Sequence, residues 1–167
     1  ESLNKSITLL SPDMIKDQFY NLPGINSIID KPEKKHYELA IFLDCSDKSR
    51  IAQFKKFPKV EKIINIDHHQ DNTNFGDINL VENISSVGEL LFNCYKTLNI
   101  NISKSAAANL FAAISFDTGS FQFSNTTDET FKAAAELKKT GINITKISEL
   151  IFENKEKNYF EDIKMGL

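Results

Sequence analysis

An apolar run that ends in an acid and two imidazoles is the feature that most constrains the fold of this chain. Residues 62–66 contain three isoleucines, and Asp67, His68 and His69 follow them directly. Such a run predicts a short buried β-strand. A chain that leaves a buried parallel strand at its carboxyl end enters the crevice where α/β proteins bind ligands. Since adjacent side chains of an extended chain point in opposite directions, we expect His68 and His69 to differ in task, one binding a metal and the other facing a substrate.

Two other apolar runs also end in an aspartate. Residues 38–43 precede Asp44, and residues 112–116 precede Asp117. The second run fits a strand or the end of a helix capped by Ser103, and periodicity does not decide between them. A single acid in this setting is more typical of a helix cap or a loop. Three acids with two imidazoles instead predict a site for a divalent metal such as Mn²⁺, Mg²⁺ or Fe²⁺.

The order of the predicted elements indicates the fold class. Strands are predicted over residues 6–10, 37–43 and 61–66, and a polar loop over residues 70–80. Helices are predicted over residues 12–20, 47–57, 87–98, 104–116, 128–140, 144–152 and 159–165, with Asp47 as a cap rather than a ligand. This alternation predicts an α/β fold in which a parallel sheet is flanked by helices on both faces.

The composition excludes several classes of protein. The chain has 167 residues, 41% of them hydrophobic and 26% charged, which suits one globular domain. A formal net charge of −3 argues against general binding of polyanions such as duplex nucleic acid. We find no apolar run long enough to span a membrane. Cys45 and Cys94 make no disulfide framework, which favours a reducing, cytoplasmic location.

Three segments together resemble the motifs of the DHH phosphoesterases. Asp67-His68-His69 with residues 72–76 is similar to the third motif of that family, residues 44–50 to the second, and residues 117–127 to the fourth. The most similar subgroup is the bacterial oligoribonuclease and 3′,5′-bisphosphate nucleotidase type, which includes cyclic di-AMP phosphodiesterases. The resemblance extends from about Ser6 to the end of the chain.

The resemblance implies a role for each matching residue. Asp44, His68 and Asp117 would be metal ligands, His69 would act on the scissile phosphate as general acid or hydrogen-bond donor, and Asp67 would orient an imidazole. His69, Asn72, Asn74 and Ser120 are the expected substrate contacts, although the loop that holds the two asparagines could equally be a plain connection. The family implies two Mn²⁺ ions, with Mg²⁺ or Co²⁺ as alternatives, and hydroxide attack on short nucleotides.

The chain departs from the family pattern at both ends. Nothing in residues 1–5 resembles the first motif, and no glycine-rich second domain follows Leu167. We therefore expect residues 1–167 to be an incomplete DHH domain that alone binds at most one metal weakly and hydrolyses poorly. Such a piece is expected to form a homodimer or to associate with the missing segments. Two alternatives remain: a degenerate module that binds nucleotide or metal without turnover, and a hydrolase similar to manganese pyrophosphatases.

Overall fold

Two parallel sheets organise the amino-terminal half of the molecule. A computed structural model describes residues 5–53 and 57–153. The strands are β1 (Leu9–Leu10), β2 (Ile28–Ile29), β3 (His36–Leu43), β4 (Lys59–Asp67) and β5 (Ile78–Val81). β1 pairs with β2, while β3, β4 and β5 form a second sheet in that order, and every pairing is parallel. The long central strand β4 therefore delivers the Asp-His-His sequence at the carboxyl edge of the larger sheet.

Among the described residues, four α-helices form the other half, and most of them begin at the predicted position. The helices are α1 (Val87–Thr97), α2 (Lys104–Asp117), α3 (Asp128–Lys139) and α4 (Ile144–Ser148), and a π-helical turn, Glu149–Glu153, follows α4. The hydroxyls of Ser86, Ser103 and Thr127 accept hydrogen bonds from backbone amides in the first turns of α1, α2 and α3. Each cap satisfies an amide that the helix leaves without an internal partner. Gly141, at a φ of +85°, follows the end of α3 as predicted.

The hydrophobic core lies between these helices. Phe111 and Ile114 of α2 are almost fully buried with Leu137 of α3. α1 approaches α2 closely because Gly88 has no side chain: a Cβ there would lie 2.8 Å from the Cβ of Ala113. This core holds α2 rigidly, and α2 carries Asp117 at its last position.

The predicted α/β class is confirmed, because parallel sheets are flanked by helices. One face of β3 is less covered in the described part of the chain. Leu39, Ile41 and Leu43 alternate along the strand and are 45%, 55% and 49% exposed. No helix among the described residues is long and apolar enough to cross a membrane.

The predicted helix over residues 12–20 is wrong. Only Asp17–Phe19 form a 3₁₀ turn there. The backbone N–H of Ser11 donates to the carbonyl oxygen of Ile29, so Ser11 extends the β1–β2 ladder by one residue instead of starting a helix. Met14, in the middle of the predicted helix, is 92% exposed and has nothing to pack against.

Other boundaries also differ from the predictions. β1 is only two residues long. The helix predicted over residues 47–57 is present as a 3₁₀ helix, Lys48–Gln53, and residues 54–56 of that prediction lie outside the described residues. The predicted loop over residues 70–80 contains the start of β5, which pairs with β4. We missed β5 because it has four residues and includes the polar Asn79. The predicted helix over residues 159–165 lies outside the described residues.

Candidate metal centre

The two imidazoles after β4 converge on the carboxylate of Asp44. The Nε2 atom of His68 lies 3.4 Å from Oδ1 of Asp44, and Nδ1 of His69 lies 3.8 Å from the same oxygen. The ring centroids of His68 and His69 are 4.7 Å apart. The expectation that they point in opposite directions is therefore wrong, because β4 ends at Asp67 and strand alternation stops before the histidines.

Asp44 reaches this position through an unusual backbone conformation. It follows β3 and has a φ of +57°, in the left-handed region that non-glycine residues rarely adopt, although Asp and Asn do so more often than most. Its N–H donates to the carbonyl oxygen of Ile66 at 3.0 Å, which extends the β3–β4 ladder by one residue. The sheet thereby fixes Asp44 beside the histidines.

Asp117 reaches the same centre from the last position of α2. Its Oδ2 lies 3.9 Å from Nε2 of His68. The helical alternative for residues 112–116 is therefore the correct one. The loop that follows is strained: Gly119, Ser120 and Phe121 all have positive φ values, from +55° to +64°. Such φ values are uncommon at non-glycine residues such as Ser120 and Phe121.

A hydrogen bond at Nδ1 fixes the tautomer of each imidazole. Nδ1 of His68 lies 3.1 Å from the carbonyl oxygen of Ile84, which can only accept, so this nitrogen carries hydrogen. Nε2, the nitrogen that faces the two aspartates, is then the atom available to a metal. Nδ1 of His69 pairs at 2.8 Å with Oδ1 of Asp67, a fully buried carboxylate. The geometry therefore pairs Asp67 with His69 rather than with His68.

The charges of the centre shift its protonation. The hydrogen bond to Asp44 raises the pKa of His68 to about 9, against the opposing effect of burial. Burial and the nearby Asp44 charge raise the pKa of Asp117 to about 6. Burial also acts to raise the pKa of Asp67, but the hydrogen bonds from His69 and Asn72 outweigh it and hold the pKa below its usual value. Perturbation of this kind is typical of functional sites.

The donor set fits one divalent cation. Asp44, His68 and His69 each offer a ligand atom, and these atoms lie within 4.8 Å of one another. Asp117 is not one of the three, but its carboxylate faces the same nitrogen of His68. Imidazole nitrogens combined with carboxylate oxygens suit borderline divalent ions such as Mn²⁺, Co²⁺ and Zn²⁺.

The predicted substrate contacts occupy different settings. The side chain of Asn72 faces the protein: its Nδ2 lies 2.5 Å from Oδ2 of Asp67 and 2.8 Å from Oδ1 of Asn65. Asn74 is exposed, and Ser120 is half-buried in the left-handed loop. Asp47 caps the 3₁₀ helix as predicted, through a 2.6 Å hydrogen bond from the N–H of Ser49. The substrate roles of Asn72, Asn74 and Ser120 remain predictions.

Two features around the centre were not predicted. Asn125 Nδ2 donates to the carbonyl oxygens of Ser85 and Asp117, which joins the loop beneath His68 to the end of α2. Glu89, only 1% exposed, accepts hydrogen bonds from the hydroxyls of Ser85 and Thr130. The side chain of Glu89 therefore reaches from the first turn of α1 across to α3.

Comparison with known proteins supports the class that these features indicate. No family model matches the chain. An exopolyphosphatase-related protein of Bacteroides fragilis superposes with a TM-score of 0.83 at 22% identity, and this match covers 98% of this chain and 52% of the Bacteroides chain. A candidate family II inorganic pyrophosphatase of Methanococcus jannaschii superposes with a TM-score of 0.55 at 21% identity, and this match covers 71% of this chain and 43% of the pyrophosphatase chain. The fold of the chain is that of these solved structures. In sequence, the chain is similar to proteins of the DHH family.

Within that family the chain is similar to the NrnA proteins. It is 32% identical over 146 residues to the bifunctional oligoribonuclease and PAP phosphatase NrnA of Bacillus subtilis, which covers 75% of this chain and 46% of the relative. It is 30% identical over 161 residues to the probable bifunctional oligoribonuclease and PAP phosphatase NrnA of Streptococcus mutans, and this match covers 85% of this chain and 52% of the relative. The chain thus spans about half the length of the curated relatives that it matches.

Proposed function

We propose that the protein is a metal-dependent phosphoester hydrolase that acts on short nucleotides. The convergence of Asp44, His68 and His69, with Asp117 beside His68, is the observation that carries the proposal. The NrnA relatives support the nucleotide class, since their names give oligoribonucleotides and PAP as substrates. Short oligoribonucleotides and 3′-phosphoadenosine 5′-phosphate are therefore the first substrates to test, and cyclic di-AMP with its linear product follows.

The residues of the centre have distinct proposed tasks. Asp44, His68 and Asp117 hold the metal, for which we propose Mn²⁺, with Mg²⁺ or Co²⁺ as substitutes. A divalent ion supplies a hydroxide at neutral pH and neutralises charge on the phosphoryl oxygens. Ile84 keeps Nε2 of His68 free of hydrogen in the neutral ring, so that this atom points its lone pair at the ion's position.

His69 is proposed to act on the substrate. The buried carboxylate of Asp67 accepts the Nδ1–H of His69, which orients the ring. The side chain of His69 remains 43% exposed, so its other nitrogen can reach an incoming phosphate. There it would donate a hydrogen bond or a proton to a phosphoryl or leaving-group oxygen.

We further propose that the complete centre has two ions and draws ligands from a longer protein. The described residues include one compact triad, and the matched relatives are about twice as long. On this proposal the 167 residues are a DHH domain within a longer protein, whose other segments supply further ligands and substrate contacts. Association with those segments, or as a homodimer, would complete the site, and the unpaired Cys45 and Cys94 suit the cytoplasm as its compartment.

The test is hydrolysis by the full-length protein, with and without Mn²⁺. We expect His68→Ala and Asp117→Ala to abolish Mn²⁺-stimulated hydrolysis of 3′-phosphoadenosine 5′-phosphate and of a ribodinucleotide. Asp47→Asn is the control, because Asp47 only caps the 3₁₀ helix, and this variant should keep most of the activity. Wild-type rates in either alanine variant would refute the site. Hydrolysis of pyrophosphate alone would favour the pyrophosphatase alternative, and binding without turnover of any substrate would favour the degenerate module.

A further inference from the structure

A fully buried asparagine lies beneath the metal centre and has no part in the proposed chemistry. Asn65 interrupts the isoleucines of β4 and is 0% exposed. An amide at such a position loses its hydration on folding, and this loss is unfavourable unless its polar atoms find partners. Its contacts therefore show which part of the molecule it serves.

Both polar atoms of the Asn65 side chain are hydrogen-bonded. Nδ2 donates to the carbonyl oxygen of Cys45 at 3.0 Å, and Oδ1 accepts from Nδ2 of Asn72 at 2.8 Å. Asn72 Nδ2 also lies 3.2 Å from the same Cys45 oxygen and 2.5 Å from Oδ2 of Asp67. Asn65 thus connects the residue that follows Asp44 to the carboxylate that pairs with His69.

The Cys45 carbonyl matters because of the conformation of Asp44. A non-glycine residue at a φ of +57° is strained, and it persists only where its surroundings hold it. On the amino side, the Asp44 N–H is fixed to Ile66 of β4. On the carboxyl side, the Cys45–Ser46 peptide is the second one after Asp44, and its carbonyl oxygen accepts hydrogen bonds from the buried amide of Asn65 and from Asn72.

We propose that Asn65 is a positioning residue that keeps Asp44 in the left-handed conformation from which its carboxylate reaches His68. The inference deepens the proposed function, since it assigns a support to the proposed metal centre. Asn65 itself does not touch the ion or the substrate. It acts through the Cys45 carbonyl, because β4 provides a rigid base from which the amide can fix the end of the neighbouring strand β3.

The test compares Asn65→Leu with a matched control, Asn79→Leu. Asn79 pairs with Asn65 across β4 and β5, but its side chain contacts only the backbone of Gly76. We would measure Co²⁺ affinity by calorimetry and the visible spectrum of bound Co²⁺ on the full chain. Asn65→Leu should weaken binding at least tenfold and alter the spectrum, whereas Asn79→Leu should bind within twofold of wild type even where its stability falls.

A second variant and a metal-free measurement separate positioning from loss of fold. Asn65→Asp keeps the volume and the acceptor for Asn72 but replaces the donor to Cys45, so it should weaken Co²⁺ binding too. In the metal-free protein, the backbone J coupling and ¹³Cα shift of Asp44 should leave the values of a positive φ in folded Asn65→Asp.

Three outcomes would overturn the inference. Wild-type affinity and spectrum in either Asn65 variant would do so, as would unchanged Asp44 couplings. Equal weakening in Asn79→Leu would assign the effect to general destabilisation. If the wild-type protein fails to bind Co²⁺, the metal centre itself is refuted. If the wild-type protein binds Co²⁺ and the Asn65 variants bind it equally well, only the positioning role of Asn65 is refuted.

Discussion

Raising the pH should destabilise the metal-free protein through His68. The hydrogen bond to Asp44 raises the pKa of His68 to about 9, whereas an unfolded chain has the ordinary value near 6.5. The folded state therefore binds this proton more tightly. The resulting stabilisation is fully present below pH 6.5 and is lost as the pH rises through 9.

The size of the effect follows from the two pKa values. Their difference corresponds to a maximum of about 3 kcal/mol, because one pKa unit is about 1.4 kcal/mol. Between pH 6.5 and pH 8.5 the free energy of unfolding should fall by about 2 kcal/mol. Asp117, with a pKa of about 6, is already mostly ionised in this window. The thiols of Cys45 and Cys94, whose pKa values burial raises above 9.0, titrate above it.

The assay is urea denaturation in the presence of a chelator at several pH values, with Asp44→Asn as the matched variant. The substitution keeps the shape of the side chain but removes its charge, which should return the pKa of His68 toward its ordinary value and remove most of the pH dependence. An NMR titration of the His68 ring provides the pKa directly. A wild-type protein whose stability is constant over this window, or an Asp44→Asn protein with the same loss, would refute the reasoning.

Three further predictions concern the same chain. Mn²⁺ binding at pH 7.5 should release about one proton, because the protonated His68 must lose hydrogen from Nε2, and calorimetry in buffers of different ionisation enthalpy measures this release. Gly76→Ala should lower the free energy of unfolding by about 2 kcal/mol, since the new Cβ would lie 2.8 Å from the backbone oxygen of Ile78; urea denaturation tests this. Thr130→Val should cost about 1–3 kcal/mol in the same assay, because it removes a hydroxyl donor from the buried Glu89.

Local signals explain why the helices were predictable. Ser86, Ser103 and Thr127 each start a helix at the predicted place, since capping depends on a few neighbouring residues. Tertiary pairing explains the errors. Ser11 extends a sheet by its hydrogen bond to Ile29, eighteen residues away, and no local pattern reports that pairing. The strand β5 exists because β4 offers it an unpaired edge.

The candidate site shows the same division between local and distant information. The Asp-His-His sequence and the acids at Asp44 and Asp117 could be found from apolar runs that end in polar residues. Their convergence depends on a left-handed Asp44 and on a backbone carbonyl at Ile84, and sequence patterns do not report such backbone groups. Asn65 could have been identified from the sequence, because an amide inside a run of isoleucines on a buried strand indicates a buried polar side chain that needs hydrogen-bond partners.

The protons that the metal-free centre holds favour a cation site over a purely structural cluster. Asp44 and Asp117 bring two carboxylates to one imidazole, and in a partly buried place their mutual repulsion is only weakly screened. The centre relieves this repulsion by keeping His68 protonated and by raising the pKa of Asp117. A divalent cation would relieve it more fully, since it would replace the His68 proton and bring one further positive charge. Metal binding should therefore stabilise the fold most at alkaline pH, where His68 has lost its proton and no longer offsets the repulsion between the two carboxylates.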